Sequence, residues 1–429
     1  MSNSSSSGTM DRRQLIQSIG GAAVIAAATP WIMGSGGSPC SGGVLASAAP
    51  EDVDMSSDLL EDVFARIQRR VNDGFFPGAT ALVARRGAIV GHRAFGVKVK
   101  GGNEAVTLDT LFDLQSMTKV LATATSAKIL AQASTIELSH KVADYLPAFA
   151  ANGKANITIR QMLRYSAGLP VDNQFLGNPD DDAVWQLMAE TPLEYTPGTS
   201  VLYSDLTYRL LGRVIEAAAG VDLDTYARTH IWQPLGMVDT MFNPPTALIP
   251  RIAATGFSQV RGYVVRGEVQ DEQDFALGGI TGCDGVFSTA HDVAIFCQMY
   301  LNGGHYGGAQ ILTPAATAKM VQNQTPQVTA AATDTSPINN LLLTPKGLGW
   351  ELTTRRFSTG GMRLSPGSYG KSGGAGTFMW VDPARELFGV LLTNHGLPVP
   401  FDEPGWNRML DEAGNAEFFD GIINAVTDG

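Results

Sequence analysis

Two blocks of strand-like sequence stand at opposite ends of this chain, and a long, mainly helical stretch separates them. At the N-terminal end, SDLLEDVFARIQRRVNDG (57–74) carries Leu60, Val63, Phe64, Ile67 and Val71 at helical spacing, and Gly74 stops it. GATALVARRGAIVGHRAFG (78–96) then predicts a β-hairpin turning at Arg86-Gly87. From about 116 to 240 the pattern is mostly helical, broken by turns at Gly153, Gly168-Leu169-Pro170 and Pro197-Gly198. Strands return with TFMWVD, a turn at Pro383-Ala384-Arg385, and LFGVLLTN (387–394), and a last helix carries Phe418, Phe419, Ile422, Ile423 and Val426. Strands so far apart in sequence bury their apolar faces most economically in one shared sheet. The expected fold is therefore α/β (α+β): an antiparallel sheet flanked by helices, with sheet parts at about 57–115 and 345–429. A mainly helical insert fills about 116–344, so that 49–429 forms a single unit.

The first 48 residues are set aside as an export signal. Arg12-Arg13 precede IGGAAVIAAATPWIM, Ala46-Ser47-Ala48 supplies an A-x-A cleavage pattern, and DRRQLIQ approximates a twin-arginine signal. Met10 offers an alternative start. The apolar run contains Gly, Pro and Thr and makes a poor spanning helix, so no stable membrane insertion is expected after cleavage. Net charge is −11 and no Lys/Arg run exceeds a pair, which argues against nucleic acid as a partner. The six histidines are scattered, without H-E-x-x-H or a close Cys/His pair, so no metal and no cofactor is expected. Cys40 would leave with the signal. Cys283 and Cys297 are free to pair in an oxidising compartment, although the apolar helical pattern around Cys297 favours a buried thiol. The polar, proline-punctuated stretch 325–345 predicts a long loop near the site mouth.

SYGKSGGAGTFMW (368–380) contains two incompatible serine-enzyme signatures. Gly370-Lys371-Ser372-Gly373-Gly374 fits the G-x-S-x-G nucleophile elbow, whereas Lys371-Ser372-Gly373 is a variant of K-T-G, in which the serine attacks nothing. An elbow needs a strand before its serine and a helix after it. Here a turn-rich segment precedes Ser372 and a strand follows it, so the strand-motif reading stands, with Lys371-Ser372-Gly373-Gly374 opening an edge strand. The nucleophile then lies elsewhere. Ser116-Met117-Thr118-Lys119 fits S-x-x-K: on a helix starting at the serine, Lys119 can reach Ser116, and first-turn N–H groups favour negative charge there. Tyr203-Ser204-Asp205 precedes a helix with Leu206, Leu210, Leu211, Val214 and Ile215. A tyrosine aimed at Ser116 can relay a proton between nucleophile and leaving group.

The three motifs, in this order, resemble those of the serine β-lactamase and D,D-peptidase superfamily, in the branch of class C β-lactamases, D-alanyl-D-alanine carboxypeptidases and related esterases. ITIRQMLRYSAGLP (157–170), the stretch from YSDLTYRLLGRVIE to PLGMVDTMF, and GGITGCDGVFSTAHDVAIFCQMYLNGG extend the resemblance over roughly 58–395. It implies that Ser116 is the acylated nucleophile and that Lys119 and Tyr203 are its acid/base partners. It also implies that Lys371 supplies positive charge, with Ser372 lining the site, and that the N–H groups of Ser116 and Gly374 form an oxyanion hole.

One departure carries weight. The family usually has Asn two residues after the tyrosine, where this chain has Asp205, which in ionised form can only accept hydrogen bonds. That favours small-molecule ester substrates over amides, and a carboxylate there would hold Lys119 protonated. The leading expectation is an exported (periplasmic or secreted) serine hydrolase acting on carboxylic esters. The alternatives are a D-alanyl-D-alanine carboxypeptidase or class C β-lactamase-like amidase, and a non-catalytic penicillin-recognising protein.

Overall fold

The computed structural model describes residues 43–172, 181–326, 345–353, 358–397 and 403–428. The signal-like run before residue 43 and most of the predicted 325–345 loop lie outside the described residues.

Seven strands form the main sheet, labelled here in chain order: β1 Ala46–Ser47, β2 Gly78–Arg85, β3 Ala88–Gly96, β4 Glu351–Leu352, β5 Tyr369–Gly373, β6 Thr377–Asp382 and β7 Leu387–Thr393. Their spatial order is β1-β3-β2-β7-β6-β5-β4. All neighbours are antiparallel except β1, which lies parallel to β3 with Ala46 opposite Ala88. The A-x-A segment thus contributes an edge strand to this sheet, and buried Leu45 donates its N–H to the Tyr306 hydroxyl at 3.0 Å. The joint between the distant sequence blocks is the β2–β7 pair, seven residues in register from Arg85–Leu387 to Ala79–Thr393.

Both faces of the sheet are covered, which is why β2, β6 and β7 are buried along their whole length. On one face Ala81, Val83, Phe378, Trp380 and Leu391 pack against helix α1 (Ser57–Asn72) through Val63 and Ile67. The last helix, Asn415–Asn424, covers the same face through Phe418, Phe419 and Ile422. Gly389 permits this approach: a Cβ there would stand 2.8 Å from Ile422 Cδ1 and 3.0 Å from both Phe418 and Phe419. On the other face Leu82, Met379, Val381, Val390 and Leu392 join the large core of the helical region. That region includes α2 (Thr125–Gln132), α3 (Asp205–Ala219) and α4 (Ala290–Leu301). Among the described residues no helix is long and apolar enough to cross a membrane. Cys283 and Cys297 are separate buried thiols, the latter 3.8 Å from the Met379 sulfur, so the pairing left open by the sequence does not form.

Candidate active site

The site lies where the helical region meets the C-terminal end of β5. Ser116 sits in a tight 3₁₀ turn, Gln115–Met117, and the chain then widens into a π-helical turn, Lys119–Ala124, before α2 begins. The sequence predicts a regular helix starting at the serine; the structure has two irregular turns instead, a geometry that recurs at functional sites. Gln115 is held at φ 50°, in the left-handed region that costs a non-glycine residue about 1–3 kcal/mol. Asp113 fixes that conformation by accepting from the Gln115 N–H at 3.0 Å and from its side-chain amide at 3.1 Å. Burial pushes the Asp113 carboxyl up to about 6, and the Gln270 and Gln115 N–H groups oppose it. Across the cleft, Gly373 closes β5 against this turn: a Cβ there would meet the Leu114 carbonyl oxygen at 2.4 Å.

Ser116 is partly exposed, and its Oγ receives two hydrogen bonds of 2.7 Å, one from Lys119 Nζ and one from Tyr203 Oη. Tyr203 comes from the turn before α3, which Ser204 caps by accepting from the Thr207 N–H at 3.0 Å and donating to the Pro170 carbonyl at 2.6 Å. Its ring stacks on Tyr165 at 5.1 Å, and the ammonium groups of Lys119 and Lys371 lie 5.1 and 4.7 Å from its centroid. Burial raises the Tyr203 phenol well above its ordinary range, while Lys119 pulls it down.

Lys119 is completely buried, and its surroundings decide its charge. Nζ lies 2.7 Å from Asp205 Oδ1, 2.9 Å from Cys283 Sγ and 3.7 Å from Asp284 Oδ1. Burial works to discharge the lysine. Asp205 foremost, then Cys283, Tyr203 and Asp284, overcome it and hold the pKa well above the usual lysine value. Asp205 is correspondingly held low, with burial opposed by Lys119 and Arg209, and it occupies the first turn of α3, where helix N–H groups favour a negative charge. Asp284 is pushed up to about 7 by burial, against the pull of Lys119. Behind this layer, Arg209 pairs with both oxygens of Asp274 at 2.9 Å and with Asp271 at 3.0 Å. Asp274, Cys283 and Asp284 place ligand atoms within 4.8 Å of one another. Among these groups Asp274 pairs with Arg209 at 2.9 Å, and Asp284 lies 3.7 Å from Lys119 Nζ.

On β5, Lys371 points at Tyr203, but its ammonium is also 2.6 Å from Glu351 Oε1, so its charge is internally matched. Ser372 Oγ donates to the same oxygen at 3.0 Å, away from Ser116. Gly374 follows the end of β5 directly, next to the residue that packs on the Ser116 turn. The strand is next to the edge: two-residue β4 lies outside it. Sequence reasoning thus placed Ser116, Lys119, Tyr203, Asp205 and Lys371 together, and it missed Cys283, Asp284 and Glu351. Cys283-Asp284 lay inside a recognisable stretch, GGITGCDGVFST, without a motif of their own; Glu351 in GLGWEL carried no signal at all.

Fold and residue cluster together define a serine hydrolase on the β-lactamase fold. The chain belongs to the beta-lactamase family, whose model, described as Beta-lactamase, matches residues 63–414. A relative from Salmonella heidelberg (strain SL476), provisionally named a D-alanyl-D-alanine carboxypeptidase, is 30% identical over 423 residues, covering 90% of this chain and 92% of its own. Among solved structures, EstCE1, a hydrolase with promiscuous acyltransferase activity, superposes with TM-score 0.64 at 20% identity, covering 83% of this chain and 98% of its own. D-alanine carboxypeptidase AmpC from Burkholderia cenocepacia gives TM-score 0.61 at 22% identity, covering 83% and 99%. At these identities the two structures speak to the fold alone.

Proposed function

We propose that this chain hydrolyses small carboxylic esters through an acyl-enzyme on Ser116. The observation that carries the reading is the convergence of Lys119 Nζ and Tyr203 Oη on Ser116 Oγ at 2.7 Å, with Lys119 locked to Asp205. A lysine held protonated cannot accept the serine proton, so Tyr203 acts as a relay. As Ser116 Oγ bonds to the acyl carbon, its proton passes to Tyr203 Oη, and the phenolic proton passes to the departing alkoxide. Deacylation runs the same relay with water as the nucleophile. Lys119 stays cationic throughout and stabilises the negative charge that develops on Oγ. The N–H groups of Ser116 and Gly374 serve as oxyanion donors. Asp205 offers no donor to an amide carbonyl, which supports esters over amides. The name of the Salmonella relative favours a second reading, D-alanyl-D-alanine carboxypeptidase activity. The Arg12-Arg13 segment supports export to the periplasm or beyond.

A fluorophosphonate probe followed by intact-mass and peptide mapping tests the nucleophile. Ser116 takes the label, and Ser116→Ala loses at least about a thousandfold in ester kcat/KM. Label on Ser372 overturns the assignment. Nitrocefin or D-Ala-D-Ala peptides turned over as fast as short-chain nitrophenyl esters would replace the ester reading with the amidase one.

A further inference from the structure

Beside the reacting serine there is a complete anion-binding site, already occupied by the protein itself. Among the described residues, β4 pairs with β5 only at Gly370 and Tyr369, and the Glu351 side chain reaches along the edge of β5 to Ser372. One oxygen of that carboxylate, Oε1, collects three donors: Lys371 Nζ at 2.6 Å, Ser372 Oγ at 3.0 Å and the Ser372 N–H at 3.4 Å. The other, Oε2, accepts from Thr359 Oγ1 at 3.0 Å, and Thr359 is itself braced by the Trp380 indole at 3.1 Å. Glu351, Lys371 and Ser372 are all buried. Burial opposes the charge on Glu351, yet Lys371 and Lys346 hold its carboxyl below the usual range, so it is ionised. The site is close to the chemistry: Lys371 Nζ lies 4.7 Å from the centre of the Tyr203 ring, whose hydroxyl touches Ser116, and Gly373 packs on the Ser116 turn.

We infer that Glu351 determines specificity by filling the anion subsite built by Lys371 and Ser372, so that the enzyme selects acyl donors with no carboxylate at that position. The inference rests on the reading of Ser116 as the acylated nucleophile. A substrate carboxylate would have to displace Glu351 from a cation and two hydrogen-bond donors while facing its negative charge. Like charges at such distances in a low-dielectric setting repel strongly. The same three donors would bind a substrate carboxylate once Glu351 is gone. Lys346, the other cation facing Glu351, is brought down to about 7 by burial and adds to that attraction where protonated.

The test compares a matched pair of substrates, 4-nitrophenyl butyrate and 4-nitrophenyl hemisuccinate, on the full chain carrying wild-type Glu351, Glu351→Gln, Glu351→Ala or Glu351→Asp. The measured quantity is kcat/KM for the anionic ester divided by that for the neutral one. This ratio rises at least about tenfold in Glu351→Ala, rises by a smaller factor in Glu351→Gln, where the volume remains, and stays near wild type in Glu351→Asp, where the charge remains. A merely structural role lowers both rates together and leaves the ratio within twofold of wild type; that result overturns the inference, as does a rise in Glu351→Asp equal to that in Glu351→Ala. Affinities for phenylboronic and 3-carboxyphenylboronic acid, which bind a nucleophilic serine without turnover, give the same ratio independently. If wild type cleaves neither ester, the ester reading fails, and the boronic-acid ratio alone decides the role of Glu351.

Discussion

Replacing Asp205 by Asn tests the claim that Lys119 is a fixed cation. The substitution keeps the shape of the side chain and removes the carboxylate lying 2.7 Å from Nζ. At the effective dielectric that describes buried pairs, about 20, unit charges at that separation attract by roughly 6 kcal/mol before desolvation is counted. Asp284 remains at 3.7 Å, and with Asp205 gone its own carboxyl ionises more readily, so it recovers part of the loss. Breaking a buried pair outright costs about 3–5 kcal/mol; with Asp284 as a substitute partner the expected cost is nearer 2 kcal/mol, or about 2–3 °C in Tm for a chain of this size. The sign follows from the direction of the shift. Lys119 has a raised folded-state pKa, so its contribution is present below the ordinary lysine value and disappears only as pH climbs through the raised one. Wild type should therefore show no limb from Lys119 in kcat/KM for a neutral ester, measured by pH-stat titration from pH 6 to 10. Asp205→Asn lowers the Lys119 pKa, brings a basic limb into that range, and makes activity fall where Lys119 loses its proton. An Asp205→Asn profile that overlays the wild-type curve up to pH 10 would refute the reasoning, because it would mean that Asp205 does not set the state of Lys119.

Asp284→Asn should change how stability depends on pH. The folded-state pKa of Asp284 is raised to about 7, so its stabilising contribution, complete below about pH 4, is lost as pH rises toward 7. The variant lacks that loss, and its Tm relative to wild type should improve by about 1–3 °C between pH 4 and pH 7, read by scanning calorimetry. Gly389→Val should cost about 1–3 kcal/mol by forcing Ile422, Phe418 and Phe419 away from the sheet; an unchanged midpoint in urea would show that the last helix yields freely.

The sequence made the fold legible wherever the deciding pattern was local. The helix before the hairpin, the hairpin itself and the last two long strands follow from periodicity within 19 residues or fewer. The joint between the end blocks was inferred from their shared need for a sheet. The site was legible to the extent that its residues carried spacing: Ser116 with Lys119, Tyr203 with Asp205, Lys371 with Ser372. What escaped are partners that meet across the fold. Cys283 reaches Lys119 over 164 positions, and Glu351 reaches Lys371 over 20. Neither sequence separation leaves a periodic trace. The shape of the Ser116 turn also escaped, because the left-handed Gln115 is imposed by Asp113 and by contacts at the end of β5, against the residue's own preference.

The charges around Ser116 have a logic that no single residue shows. Each of the two lysines nearest the serine has its own carboxylate: Asp205 for Lys119, Glu351 for Lys371. Asp205 carries Lys119 well above the usual lysine value against burial, whereas burial leaves Lys371 below that value, with Glu351 opposing the fall. Both also face the ring of Tyr203, at 5.1 and 4.7 Å. Such a ring, neutral at rest, gains little from two cations beyond a cation–π attraction. A ring whose hydroxyl is handing its proton to a leaving group gains much more, because negative charge then builds on Oη between two fixed positive groups. Under the proposed relay, the paired lysines would stabilise it most at the moment of transfer, which is the differential that accelerates a reaction. On this argument the Asp205 carboxylate, which stands where the resemblance leads one to expect Asn, would serve the proposed relay by keeping Lys119 charged.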